Sequence, residues 1–153
     1  MSGRAERELT LADHQQATVE VSFLLDIFAE TINDLMGGAT ASVGRIAGRN
    51  MAKKLPVHLA TPDLDGALKT LAENLRKGFE ISYQCGEEGG AEVHFARCAI
   101  REVCAARNLE QGGALCKLFH YYTDGIVNEI LFRPVRSEMT AMGEQCTAQL
   151  EIR

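Results

Sequence analysis

The sequence lacks several features that mark common classes of protein. It has no basic cluster beyond Lys53-Lys54 and a net charge of −5, which argues against nucleic acid as a main partner because phosphate binding needs a clustered basic surface. No apolar run approaches the ~18 residues that favour a membrane span, and the first residues contain no apolar segment typical of a secretion signal. We therefore expect a cytoplasmic protein with no membrane span.

Motifs of nucleotide binding and of common catalysis are also missing. Neither G-x-x-x-x-G-K-[ST] nor G-x-G-x-x-G occurs, and we find no Ser/His/Asp arrangement and no C-x-x-C redox pair. With 153 residues, of which 46% are hydrophobic, the chain is long enough to bury one core. We expect a single domain over residues 13–153 after a flexible N-terminus at 1–12, and a binding module rather than an enzyme.

The hydrophobic periodicity changes along the chain. It predicts helices over 13–36, 39–55, 61–78 and 114–131, with a short helical turn over 98–107. Period-two alternation predicts strands over 79–84, 91–96, 135–140 and 145–152. The order of helices, hairpin, helix and hairpin indicates an α+β fold, with N-terminal helices packed on a four-stranded, mostly antiparallel sheet.

The second predicted helix is rich in Gly, Ala and Ser. Its segment GGATASVGRIAGR allows another helix or a ligand to approach the backbone closely. We interpret it as tight packing against the first helix, with a pocket wall as the alternative. Pro56 would end this helix.

Cysteine is abundant for a reducing compartment, with five in the chain. Disulfides rarely persist there, so the thiols indicate metal binding or redox chemistry. Free cysteines can instead behave as small buried hydrophobes, and Cys85, at a hairpin tip, suggests an exposed and incidental thiol.

Four cysteines could converge at one end of the sheet: Cys98, Cys104, Cys116 and Cys146. Thiolates suit zinc or an iron–sulfur cluster, although a tight C-x2–4-C pair is absent. Cys116 starts a helix, and Cys146 shares the inward face of its strand with core residues. His120 follows Cys116 by one helical turn and is a possible fifth ligand. We expect zinc, with an iron–sulfur cluster as the alternative.

The C-terminal half, CKLFHYYTDGIVNEIL followed by SEMTAMGEQCTAQLEI, resembles the 4-vinyl reductase (hydrocarbon-binding) domain family. The cysteines after the first hairpin resemble those of the related methanogen output domain. The resemblance implies a helical layer over an antiparallel sheet, dimerisation through the N-terminal helices, a small apolar ligand between helices and sheet, and a zinc site nearby. It also implies a role as a sensory input or as an accessory protein of tetrapyrrole metabolism.

The resulting hypothesis is a sensory or carrier domain that binds a small apolar molecule and acts through a regulatory or effector protein. The alternatives are an iron–sulfur redox or gas sensor, an accessory protein of tetrapyrrole metabolism, and a scaffold subunit. For the ligand pocket we predict contributions from the second and last long helices, by Val43, Ile46, Phe119 and Tyr122.

Overall fold

The computed structural model describes residues 8–55, 59 and 61–153. Five α-helices and four strands follow one another in these ranges: α1 Leu11–Met36, α2 Thr40–Ala52, α3 Leu64–Leu75, β1 Phe79–Cys85, β2 Gly90–Cys98, α4 Ala99–Arg107, α5 Ala114–Leu131, β3 Val135–Ala141 and β4 Cys146–Ile152. The predicted α+β fold is confirmed. Residues 1–7 of the predicted flexible N-terminus, and Pro56 as the predicted end of the second helix, lie outside the described residues.

The four strands form one sheet in the order β1-β2-β4-β3, with every neighbouring pair antiparallel. Alternate residues of the two central strands face the core, because successive side chains of a strand point to opposite faces. Val93 and Phe95 of β2, and Ala148 and Leu150 of β4, are buried there. Cys146 pairs with Phe95 across the two central strands, so the start of β4 lies beside the end of β2.

Helices α3 and α5 cover the inner face of the sheet. The α3 helix begins where the Asp63 side chain accepts a hydrogen bond of 2.8 Å from the Gly66 amide, as a capping residue does. Along α5, Phe119 stacks on Phe79 of β1 with ring centroids 4.5 Å apart, and Val127 is fully buried. The core therefore lies between these two helices and the sheet.

The small residues of α2 let it cross α5 at very short distance. A Cβ atom at Gly44 would lie 2.6 Å from Tyr121 Cβ, and one at Gly48 would lie 2.9 Å from the Ile126 amide nitrogen. From the other helix, a Cβ at Gly125 would lie 2.9 Å from Arg45 Cα. The prediction of close helix packing was right, but the main partner of α2 is α5 and not the first helix.

One buried carboxylate links α5 to the edge strand β3. Asp124 accepts hydrogen bonds from the Ser137 amide at 3.1 Å and from the Ser137 hydroxyl at 2.5 Å. Arg45 of α2 lies 3.9 Å away. Burial raises the pKa of Asp124, and the two Ser137 hydrogen bonds oppose that rise.

Helix α1 turns its large apolar residues outward. It begins with a capping box between Thr10 and Asp13, at Leu11 and not at residue 13 as predicted. Only Asp26 and Ala29 of α1 are buried, whereas Phe28 is 58% exposed. The sequence pattern correctly predicted α1 as a helix with an apolar stripe, but a pattern does not indicate what packs against that stripe. No helix within the described ranges is both long enough and apolar enough to cross a membrane.

Candidate ligand site

A small cavity lies at the end of the sheet where β2 finishes and β4 starts. Its volume is about 20 Å³, which suffices for about one water molecule. The lining combines rings and aliphatic groups with thiols, an imidazole and a guanidinium: Phe95, Cys98, Ile100, Arg101, Gln111, Gly112, Cys116, Phe119, His120, Met142 and Cys146. The mouth is formed by the turn before α5 and the turn between β3 and β4.

Three of the four predicted cysteine ligands line this cavity. Cys98 is the last residue of β2, Cys116 is the third residue of α5, and Cys146 is the first residue of β4. Cys104 is buried on α4 and interacts with Cys116 through a side-chain hydrogen bond. The pairing of β2 with β4 brings the distant Cys146 to the others.

The two deepest thiols are held in the protonated form. Burial raises the pKa of Cys104 to about 11, and the neighbouring Cys116 adds to the rise. Burial also raises the pKa of Cys98, although the Arg101 and Ile100 amides that face its sulfur oppose the rise. Because the thiolate is the reactive form, Cys98 and Cys104 behave as inert buried thiols.

His120 places a neutral imidazole in the cavity wall. Its ring meets Phe95 and Phe119 edge to face, at centroid distances of 5.3 and 5.6 Å. Burial lowers the pKa of His120 to about 4, so the ring is uncharged at neutral pH. Within the described residues its buried Nδ1 atom has no hydrogen-bond partner, so it is available to form a hydrogen bond with a polar group of a ligand.

Arg101 brings a fixed positive charge to the same wall. Its Nη2 donates to the Ala96 carbonyl at 2.6 Å, and its Nη1 donates to the Phe95 carbonyl at 3.4 Å. The same Nη1 lies 3.6 Å from Cys146 Sγ. Sequence reasoning missed Arg101, because its role arises only when β4 pairs beside β2.

Three of the four predicted cysteine ligands share the cavity wall, but the structure does not show a metal site formed by all four. Nowhere in residues 8–55, 59 and 61–153 do three His, Cys, Asp or Glu side chains form a group that could hold a metal ion. The Cys146 sulfur already accepts an N–H from the cationic Arg101, which would oppose a metal cation there. Zinc and an iron–sulfur cluster, with or without His120, stay predictions.

The predicted ligand-binding residues do not meet in one place. Phe119 lines the cavity and is buried in the core. Val43, Ile46 and Tyr122 are not among its lining residues, and Ile46 is 57% exposed. The α2 helix therefore contributes to the crossing with α5 and not to this cavity wall.

Comparison with known proteins agrees with this architecture. The chain aligns over 88% of its length with the crystal structure of the phenol-responsive sensory domain of the transcription activator PoxR with phenol. It covers 74% of that domain at a TM-score of 0.55 and 11% sequence identity, a likeness that concerns the fold. No curated protein shows significant sequence similarity to the chain.

The family model that matches is described as L-2-amino-thiazoline-4-carboxylic acid hydrolase, and it covers residues 18–148. The predicted fold of the 4-vinyl reductase type agrees with these findings, whereas membership of that particular family is not confirmed. The chain belongs to the L-2-amino-thiazoline-4-carboxylic acid hydrolase family.

Proposed function

We propose that this protein is a small-molecule-binding domain of the sensory or carrier kind, whose ligand occupies the cavity between α4, α5 and the sheet. The observation that supports it most is the composition of that cavity. Phe95, Phe119 and Ile100 provide apolar walls, and Arg101 and His120 provide two convergent polar groups, the usual make-up of a ligand pocket. The fold shared with a phenol-responsive sensory domain adds support.

Ligand entry requires the mouth of the cavity to open. A volume of about 20 Å³ is too small for an aromatic ring, because ligand pockets usually measure roughly 300 Å³ or more. Met142 is 55% exposed at the mouth, and a Cβ at Gly112 would lie 3.0 Å from Met142 Cε. A flexible methionine can move aside at small cost.

Binding of phenol, followed by calorimetry and by the shift in melting temperature, tests this proposal. Met142→Ala shortens the side chain at the mouth and should accelerate the association of phenol with the protein. Met51→Ala, at a residue that is 42% exposed on α2, should leave the rate of association unchanged. A set of small aromatic and apolar compounds that neither bind nor shift the melting temperature would contradict the proposal.

A second candidate function is hydrolysis, which the family match favours. In this candidate, Arg101 would hold the substrate carboxylate, since guanidinium groups pair well with carboxylates. The uncharged His120 would act as the general base for water. Incubation with L-2-amino-thiazoline-4-carboxylic acid, with ring opening followed by mass spectrometry, tests it. Turnover that His120→Asn abolishes would establish it, and no turnover by the wild type would exclude it for this substrate.

We further propose that the protein is a homodimer formed through α1. A stripe of apolar residues on α1 has the alternating 4-3 spacing typical of a coiled coil: Val21, Leu25, Phe28, Ile32 and Leu35. Four of the five are exposed, and exposed apolar stripes of this kind mark association surfaces. Phe28→Glu should reduce the mass measured by light scattering from twice 16.7 kDa to that value. Ile27→Glu, at the neighbouring non-stripe position, should retain the dimer.

A sensory role also requires an effector protein, and α1 is the element that could carry the signal. If ligand binding alters α1, hydrogen exchange of its amides should change when phenol is added. An exchange pattern in α1 that phenol leaves unaltered would argue for a carrier and against a sensor.

Metal binding remains a separate proposal. We favour zinc, and an iron–sulfur cluster is the alternative. A role as an accessory protein of tetrapyrrole metabolism is a further alternative function. Elemental analysis and an absorption spectrum of anaerobically purified protein distinguish these possibilities. One zinc per chain would support the cysteine site, iron with sulfide would support the redox or gas sensor, and no metal would exclude both.

A further inference from the structure

A second, larger recess lies beside the edge strand β3, and we call it the arginine cleft. Its volume is about 300 Å³, which reaches the range of small-molecule sites, roughly 300–1,000 Å³. It shares no lining residue with the cavity of the proposed function. Three arginines line it together with a phenol ring and a serine: Arg45, Arg136, Arg153, Tyr121 and Ser137. We propose that the arginine cleft binds a small molecule through a carboxylate or phosphate group.

Arg45 is held in place at the helix side of the cleft, but its donors are not used up. The guanidinium carbon lies 5.1 Å from the centroid of the Tyr121 ring. Its Nη2 lies 3.9 Å from Asp124 Oδ2, which is too far for a hydrogen bond. The buried Nε has no hydrogen-bond partner among the described residues. Arg45 therefore retains donors for an anion in the cleft, and guanidinium groups match carboxylate and phosphate oxygens well.

Arg136 adds a second positive charge at the same place. Burial raises the pKa of Asp124, and the Ser137 hydrogen bonds, Arg45 and Arg136 all oppose that rise. Both guanidinium groups are therefore close enough to one carboxylate to act on it. Asp124 carries a single negative charge and already accepts two hydrogen bonds from Ser137, so it cannot neutralise both. Among the described residues, neither Arg136 nor Arg153 forms an ion pair within 4 Å.

Two exposed carboxylates of the lining limit where the anion can lie. Glu138 and Glu151 belong to the outer face of the sheet, because they alternate with more buried residues along β3 and β4. Arg136 starts from the same face, but its charge reaches Asp124 on the inner side. Arg45 comes from the helical layer. We therefore expect the anionic group next to Arg45, away from the two glutamates, with the rest of the molecule toward β4.

Titration with inorganic phosphate, and separately with acetate, tests this inference. Amide chemical shifts are followed by two-dimensional NMR at constant ionic strength, so that screening by salt does not change. We expect shifts that saturate at millimolar anion and centre on the amides of Arg45, Tyr121 and Ser137. The inference is overturned if neither anion causes a saturable change, or if the changes centre elsewhere. Phenol should displace neither anion, and failure of phenol itself to bind would contradict only the proposed function.

Single variants distinguish a built site from general attraction to positive charge. Arg136→Gln removes an exposed side chain, so the fold should persist, and the affinity for the anion should fall about tenfold. Glu138→Gln removes an opposing charge and should raise the affinity. Arg133→Gln is the matched control, because Arg133 is exposed but lies outside the cleft. Equal losses in Arg136→Gln and Arg133→Gln would show that net charge alone attracts the anion, and would overturn the inference.

Discussion

Gly48 allows the most direct test of the crossing between α2 and α5. In Gly48→Ala the new methyl group would meet the Tyr122 carbonyl oxygen, with the Ile126 nitrogen and the Tyr122 carbonyl carbon each 2.9 Å away. These neighbours belong to the backbone of a helix interior, so they cannot rotate away as a side chain would. The two helices must therefore separate.

The expected loss of stability follows from two opposing effects. Overpacking of a tight contact costs typically 1–3 kcal/mol, and rigid backbone neighbours place this contact at about 3 kcal/mol. Alanine favours the helix over glycine by about 1 kcal/mol. The net loss in the free energy of unfolding is then about 2 kcal/mol, which lowers the melting temperature of a chain of this size by about 4–8 °C.

Urea unfolding followed by far-UV circular dichroism measures this loss. Gly38→Ala is the matched control, because nothing lies within 4 Å of a Cβ at that position, and its stability should change by no more than about 0.5 kcal/mol. If Gly48→Ala unfolds at the same urea concentration as the wild type or a higher one, the glycine contact does not hold the two helices together and the reasoning is refuted.

Three further predictions concern buried charge and backbone strain. Burial lowers the pKa of His120 from 6.5 to about 4. The neutral ring therefore contributes fully to stability above pH 6.5, and up to about 3 kcal/mol of the free energy of unfolding is lost as the pH falls toward 4. In urea titrations, His120→Phe should remove this part of the acid dependence. Burial raises the pKa of Asp124, so the folded state favours the protonated carboxyl group, and this contribution to stability is lost as the pH rises through the raised value. The stability of Asp124→Asn relative to the wild type should therefore increase from pH 4 to pH 7. A constant difference would contradict the assignment. Phe132 adopts the left-handed backbone conformation, with φ 54°, and its side chain is 81% exposed. Phe132→Gly should therefore raise the free energy of unfolding by up to about 1 kcal/mol, and with it the midpoint of thermal unfolding. A lower midpoint would show that packing of the ring outweighs the backbone strain.

The elements of the fold could be predicted because local patterns determine them. The α5 helix was predicted at its observed bounds, 114–131, since its apolar spacing is helical and Pro134 follows its end. The strands were predicted within one or two residues, because alternation reports directly which face is buried. The bounds of α2 were less accurate, since its many small residues weaken the periodic pattern.

Tertiary pairing was harder to predict. The small residues of α2 indicate a close neighbour but do not name it, and the structure identifies α5. The role of Arg101 depends on β4 pairing with β2, a contact between residues about 50 positions apart. Val43 and Ile46 were chosen for the ligand pocket by their place in the chain alone, and the cavity forms around other residues. Of the four cysteines predicted to converge, Cys98, Cys116 and Cys146 line one cavity and Cys104 does not, and the strand pattern and the helix start indicated the positions of these three.

The strand order has a consequence for how the chain folds. Strand β4 lies between β2 and β3, so β2 and β3 share no hydrogen bonds. The sheet is continuous only after β4 has paired with both of them. Such pairing between distant segments slows folding, and until it occurs β2 keeps one unpaired edge next to apolar residues. Newly made or partly unfolded chains would then be most prone to aggregate through this edge. The β1–β2 hairpin can form early, but the cavity, whose wall includes Cys146, exists only after β4 has paired with β2.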